Sequence, residues 1–276
     1  MSNPSPSLPW CCPLCAQPLQ LVERRLVCSQ NHSFDLARQG YVNLLPANFK
    51  HSKAPGDDKS MLQARRDFLN AGFYKPLQDA LVQIQSEVRA ALGRGITALD
   101  MGGGDGYFSA ALTDDQHRWF VSDISKDAVR LAAGRFGVAQ CSVASSFKLP
   151  LADNSVDLVL RNFAPSSEPE VARVLRRDGF YCVVTPNDDH LIELRRCLYQ
   201  QPKSHTAGAI EGLFQPLWTR QVSYSFDLTS KDHRQALLAM TPMAWRANLE
   251  QKQRWLDAEA VSVTANFTLA LYQVAA

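Results

Sequence analysis

No run of the 276 residues approaches the length of a membrane span, and the N-terminus lacks the basic-then-apolar order of a secretion signal. A soluble cytoplasmic protein with no membrane partner is therefore expected. Charge is nearly balanced at +2, which excludes any argument from global charge to a particular partner. Internal repeats are missing, and the only low-complexity tract is the Ser/Pro-rich first nine residues. Seven cysteines in so long a chain do not read as a secreted disulfide framework. With 46% hydrophobic residues the chain can bury a full core, and its length suggests one large domain plus a smaller module.

Four of the cysteines crowd before residue 29. Cys12 and Cys15 are separated by two residues and Cys28 and His32 by three, with 12 residues between the pairs. Two close pairs of such ligands suit tetrahedral zinc, because each short spacing turns two side chains toward one point. A closed Cys3His set leaves no position for water. One structural zinc per chain is therefore expected, holding a module of roughly 35 residues that is too small to fold on its own core. Its loss is expected to leave cofactor affinity mostly intact. Metal-free buried cysteines or a redox pair are the alternatives, and they require both pairs to match zinc spacing by accident. Cys11 is spare, and Cys141, Cys182 and Cys197 read as core.

Charge distribution says more than charge balance. Residues 1–66 hold Arg24, Arg25, Arg38, Lys50, Lys53, Lys59, Arg65 and Arg66 against Glu23, Asp35, Asp57 and Asp58, a surplus of +4 that leaves −2 for the remainder. A basic front end on a slightly acidic body suits a nucleic-acid-binding appendage, although a solvated surface with chance clustering fits equally well.

From Thr97 to Phe108 an apolar run ends in Asp100 and then in Gly102, Gly104 and Gly106. A dinucleotide fingerprint counted from Gly102 needs a third glycine where Tyr107 stands. The acid-x-Gly-x-Gly-x-Gly order is instead that of methyltransferases binding S-adenosylmethionine. Glycines let the backbone turn sharply out of a strand and approach a ligand, and the following helix start offers unpaired N–H groups to the ligand carboxylate. Asp105, Gly106 and Tyr107 complete this cofactor loop. Trp119 to Asp123 reads as the next strand, ending in a carboxylate about 20 residues on, where a ribose diol is usually held. An ordinary tight turn is the alternative.

After the cysteines, Ala47 to Ser60 reads as loop, Met61 to Leu69 as helix, and apolar residues 77, 80, 81, 84 and 88 mark an amphipathic helix. Strands and helices then alternate: Ala98–Met101, a helix from Tyr107, Trp119–Ser122, a helix from Lys126, a segment at Gln140–Ala144, Val156–Leu160, a helix near Glu168–Leu175, a break at Asp178–Gly179, and Phe180–Thr185. This alternation predicts an α/β fold with a parallel sheet and helices on both faces. Val222–Phe226 and Phe267–Tyr272 read as late strands added antiparallel at the edge. The division is a zinc-binding module over 1–45, linker and helix over 46–75, and a cofactor domain over 76–276.

The zinc signature, Phe34-Asp35 through Gly40-Tyr41-Val42-Asn43-Leu44-Leu45-Pro46, the glycine loop, Arg161-Asn162-Phe163-Ala164-Pro165 and Met240-Thr241-Pro242-Met243-Ala244-Trp245 together resemble the RlmA-type 23S ribosomal RNA guanine-N1 methyltransferases. The likeness runs over nearly the whole chain. Gly103 and Asp105 stand where that family often has Cys and Glu, and a few extra residues precede the zinc site. The resemblance implies a class I methyltransferase with a Rossmann-like, mostly parallel seven-stranded sheet, a zinc module that helps hold RNA, a homodimer, and methylation of one guanine in a hairpin of 23S ribosomal RNA. It also implies cofactor contacts by Tyr74 and His190, which on residue type alone read as a packing aromatic and a surface histidine.

Guanine N1 carries a proton and is poorly nucleophilic until that proton leaves, so a general base, or donors facing O6, should lie near the pocket. Arg161 and Asn162 can meet the base edge at the carboxyl end of a strand, and Phe163 can stack on it. Phe163 as core and Arg161 as an ion-pair partner is the other reading. Trp245 with Arg246 is a second candidate platform, or plain packing. No residue qualifies as the base, and the catalytic group stays unassigned. Two other functions remain open: a small-molecule methyltransferase, and a non-catalytic zinc-containing RNA-binding protein.

Overall fold

The computed structural model describes residues 8–46, 56, 58–199, 210 and 212–275. Most of the expected loop over 47–60, with Lys50 and Lys53, lies outside the described residues. The chain begins with a small antiparallel sheet of β1 (Gln20–Val22), β2 (Arg25–Val27) and β3 (Ser33–Asp35), followed by β4 (Val42–Asn43). Helix α1 (Lys59–Asn70) starts where the Asp58 carboxylate accepts the Met61 N–H at 2.8 Å, satisfying one of the unpaired donors of a helix start. Helix α2 (Lys75–Leu92) has a proline in its first turn and ends at Gly93 in the left-handed region, φ 64°. Leu77, Leu81, Ile84 and Val88 form its buried stripe, as their helical spacing predicts.

The alternating part follows: β5 (Thr97–Met101), α3 (Tyr107–Ala110), β6 (Arg118–Asp123), α4 (Lys126–Ala132), β7 (Cys141–Val143), β8 (Val156–Asn162), α5 (Glu168–Val174), β9 (Leu175–Pro186) and α6 (Ile192–Leu198). The glycine loop thus leads into a single helical turn, shorter than the sequence suggests. The break expected at Asp178–Gly179 falls inside β9. Val156 pairs with Leu175 and Leu158 with Phe180, so the intervening residues bulge outward. Then come β10 (Phe214–Leu228), α7 (Lys231–Ala239), a 3-10 turn at Pro242–Trp245, α8 (Leu249–Leu256) and β11 (Val261–Val274). Both late strands are much longer than their apolar centres indicate, because each residue of β10 has a ladder partner on β11 apart from one bulge.

The main sheet has eight strands among the described residues, in the order β10-β11-β9-β8-β5-β6-β7-β4. Pairings from β9 through β8, β5, β6 and β7 to β4 are parallel, and β9-β11 and β11-β10 are antiparallel. The expected count of seven is one short. The eighth strand is β4, contributed by the segment that follows the zinc ligands, with Val42 and Asn43 opposite Ser142 and Val143. A two-residue strand carries no periodicity, so nothing local announces it.

The front segment shares a core with the sheet. Trp10 is fully buried edge-on to Phe120, with ring centroids 5.6 Å apart, and its indole N–H donates to the Ala139 carbonyl at 2.7 Å. Leu26, Val42 and Leu44 pack with Leu99, Met101 and Val159 in one cluster, while Ala98 packs with Leu77, Leu81 and Leu237 in the other. The alternation of neighbouring residues between clusters is the period-2 signature of a sheet covered on both faces. Chain order reverses between β5 and β8, so their carboxyl ends form a switch point, the usual ligand crevice of an open α/β sheet.

Candidate functional site

At that switch point lies a cavity of about 700 Å³, bordered by Gly102–Asp105 and Tyr107 of the glycine loop, Asp123, Asn162–Pro165, Tyr74, His190 and Met240–Met243, whereas Gly106 faces the Phe136 ring instead. Gly102, Gly104 and Gly106 all sit at positive φ, +70°, +59° and +72°. A Cβ on Gly102 would lie 2.4 Å from the Cβ of Ala164, so the loop after β5 touches the loop after β8 only because a side chain is missing.

The acidic residues divide the work. Asp123 accepts the Gly104 N–H at 3.0 Å and the Ser125 N–H at 2.7 Å, clamping the loop to β6 at the wall of the cavity. Asp105 lines the cavity but pairs with Arg135 at 2.8 Å, and Arg135 also lies over the Tyr107 ring. Asp100 is buried at 2% exposure. One oxygen accepts the Ser109 hydroxyl at 2.6 Å, and the other has no partner among the described residues. Burial pushes this carboxyl up to about 7, and the nearby charges of Asp123 and Asp105 add to the rise against the Ser109 bond. An orphaned carboxylate oxygen at the cavity fits the ammonium group of an amino-acid moiety.

Asn162 and Phe163 line the cavity, whereas Arg161 faces the opposite side of β8. Its guanidinium bonds Ser166 and pairs with Glu168 at 2.9 Å, over the Tyr181 ring. Strand alternation makes this necessary once Asn162 points inward. The Asn162 side-chain amide oxygen is buried without a partner among the described residues. Phe163 has φ +58°, a costly conformation for an aromatic residue, and is 45% exposed with its ring nearly parallel to that of His190. Trp245 is 72% exposed and lies outside the cavity, although Pro242 and Met243 beside it line the wall. Tyr74 and His190 meet through Tyr74 Oη and His190 Nε2 at 3.3 Å. Sequence reasoning misses Arg65 and Leu62 of α1 and Ser145–Phe147 after β7, all of which line the cavity. The residues after β7 are brought there by strand order, and those of α1 by its packing against α7 and the Arg65 bond to the Met240 carbonyl.

About the four expected zinc ligands the geometry is direct. The sulfurs of Cys12, Cys15 and Cys28 and the nitrogen of His32 all lie within 4.8 Å of one another. Cys15 Sγ is 3.6 Å from Cys28 Sγ, and His32 Nδ1 is 3.5 and 3.4 Å from Cys12 and Cys28. Tetrahedral ligands about 2.3 Å from zinc stand roughly 3.7 Å apart, so the set fits the metal. Cys11 is buried outside the set.

A family model described as RlmA, N-terminal, a zinc ribbon, matches residues 10–53, and one described as a methyltransferase domain matches residues 99–183. A Micromonospora griseorubida protein provisionally named 23S rRNA (guanine-N1-)-methyltransferase is 37% identical, covering 95% of this chain and 96% of its own. The Streptomyces fradiae 23S rRNA (guanine(748)-N1)-methyltransferase is 35% identical, covering 88% of each chain. The chain belongs to the 23S rRNA (guanine-N1)-methyltransferase family. The cysteine-histidine cluster is accordingly its zinc ribbon, and the glycine loop opens its methyltransferase domain, whose cofactor is S-adenosylmethionine. Tyr74 and His190 fall outside both matched segments, at opposite ends of the methyltransferase stretch.

Proposed function

We propose that this protein methylates N1 of one guanine in a hairpin of 23S ribosomal RNA, acting as a cytoplasmic homodimer. The observation that carries this reading is the joining of the zinc ribbon to the cofactor sheet through β4, in a chain matching rRNA methyltransferases along most of its length. Residues 1–45 hold zinc through Cys12, Cys15, Cys28 and His32 and help hold RNA. Residues 46–75 connect them to the catalytic part, 76–276.

Bound in the cavity, S-adenosylmethionine supplies an electrophilic methyl on sulfur. The residues' task is to align it with the base and to exclude water. Gly102, Gly104 and Tyr107 cradle the cofactor's backbone side. Asp100 meets the ammonium group, Asp123 the ribose hydroxyls, and Asp105 fixes the loop through Arg135. Tyr74 and His190 close the far end. The target base stacks on Phe163, whose strained backbone turns the ring into the opening, and Asn162 reads its edge. Arg161 shapes this segment from behind, and Trp245 offers a platform for a flanking nucleotide.

The test is transfer of labelled methyl to large-subunit RNA lacking the modification, with the site mapped by primer extension, since N1 methylation blocks base pairing. Label appearing in a metabolite extract but not in RNA overturns the reading.

A further inference from the structure

Asn162 ends β8 in the wall of the cavity, and its side-chain oxygen is buried with no hydrogen-bond partner among the described residues. Such an acceptor is destabilising, because the hydration it lost on folding has not been replaced. The segment around it is held from three sides. Asn162 pairs with Val184 in the β8–β9 ladder, the Phe163 N–H donates to the Val184 carbonyl at 3.3 Å, and Ala164 lies against Gly102 of the glycine loop. Arg161, the neighbouring donor on the strand, is bonded to Ser166 and Glu168 on the other side and cannot serve this oxygen. The orphaned acceptor is therefore fixed beside the loop that opens the cofactor site.

Guanine presents three groups along the edge that carries N1: the O6 acceptor, the N1–H donor and the 2-amino donor. An asparagine oxygen can only accept, so it has nothing to gain from O6. N1 itself must face the methyl group for an in-line displacement, which leaves the 2-amino group as the donor that can reach a side chain beside it. Adenine has only a C–H at that position. Phe163, the next residue, keeps its ring 45% exposed, so a stacking face and an edge acceptor stand side by side on one segment.

We propose that Asn162 is a specificity-determining residue whose side-chain oxygen accepts a hydrogen from the 2-amino group of the target guanine. This rests on the guanine-N1 methyltransferase reading and adds the means by which guanine is chosen. The oxygen left unpaired in the ligand-free protein is satisfied only when that base is seated. Inosine at the target keeps N1, its proton and O6 but lacks the 2-amino group, so it leaves the acceptor unpaired in the complex.

The test compares an RNA hairpin carrying the target guanine with the same hairpin carrying inosine there, each with wild-type and Asn162→Ala protein. Wild type is expected to show kcat/KM about 10- to 100-fold lower on inosine, the cost of one buried acceptor left unpaired. Asn162→Ala should lose a similar factor on guanine and almost nothing on inosine, so that its preference between the two collapses. Its calorimetric affinity for S-adenosylhomocysteine and its thermal midpoint should not fall, since the oxygen holds nothing in the ligand-free protein. Equal wild-type rates on guanine and inosine, or a preference unchanged in Asn162→Ala, overturn the proposal and leave the N1 reading intact, because methyl still reaches N1 of the base. The wild-type comparison decides even if the variant does not fold. Transfer to neither hairpin overturns both readings.

Discussion

Asp100→Asn is expected to make stability depend less on pH. The carboxyl ionises near 3.8 in the unfolded chain and at about 7 in the folded one. Between those values the folded protein holds more protons than the unfolded chain, so stability falls as pH rises. The favourable contribution of the neutral acid is whole below pH 4 and lost above pH 7. At 1.36 kcal/mol per pH unit this amounts to roughly 4 kcal/mol for the ligand-free protein. Asparagine keeps an oxygen for the Ser109 hydroxyl and cannot ionise. Any fixed cost of its amide N–H groups adds a constant. Other titrating groups, zinc ligands included, cancel in the difference between the two proteins. Urea denaturation at intervals from pH 4.5 to 8.5 should therefore show the variant gaining about 3 kcal/mol on wild type across the range, the first ~1 kcal/mol having been lost below pH 4.5. A difference that stays flat within about 1 kcal/mol would mean that Asp100 is ionised in the fold at no cost, and the reasoning from its burial would fail.

Gly102→Ala should destabilise by at least about 2 kcal/mol and weaken cofactor binding, because it adds a Cβ 2.4 Å from that of Ala164 at φ +70°; recovery of part of the loss by Ala164→Gly, followed by denaturant unfolding, identifies the steric share. Cys28→Ser should release zinc, measured by metal analysis, and lower calorimetric affinity for S-adenosylhomocysteine, because β4 is a strand of the cofactor sheet. Full affinity in the zinc-free protein would instead support a separable module. Phe163→Gly should leave thermal stability equal or raise it by relieving a left-handed aromatic, while kcat/KM for RNA falls on the order of tenfold through lost stacking; wild-type activity would remove Phe163 from the target site.

What was legible in the sequence depended on local spacing. The zinc ligands lie two and three residues apart within each pair, and the glycine frame is a run of five residues. Such patterns dictate geometry before any tertiary contact forms, and both their positions and the parallel α/β class could be read directly. The fate of Arg161 was ambiguous because sequence shows that adjacent strand residues oppose each other but not which face is the pocket. The packing of Glu168 and Ser166 behind β8 decided it.

Long-range matters belonged to the tertiary structure. Two residues of β4 join the main sheet through β7, and they turn an apparent appendage into the eighth strand. Tyr74 and His190 carry no mutual signal at a separation of 116 residues. Sequence alone determined which chemistry this protein can hold, because ligand type and short spacing are local. The folded sheet decided which side chains face that chemistry, because strand order and direction arise from burial summed over the whole chain.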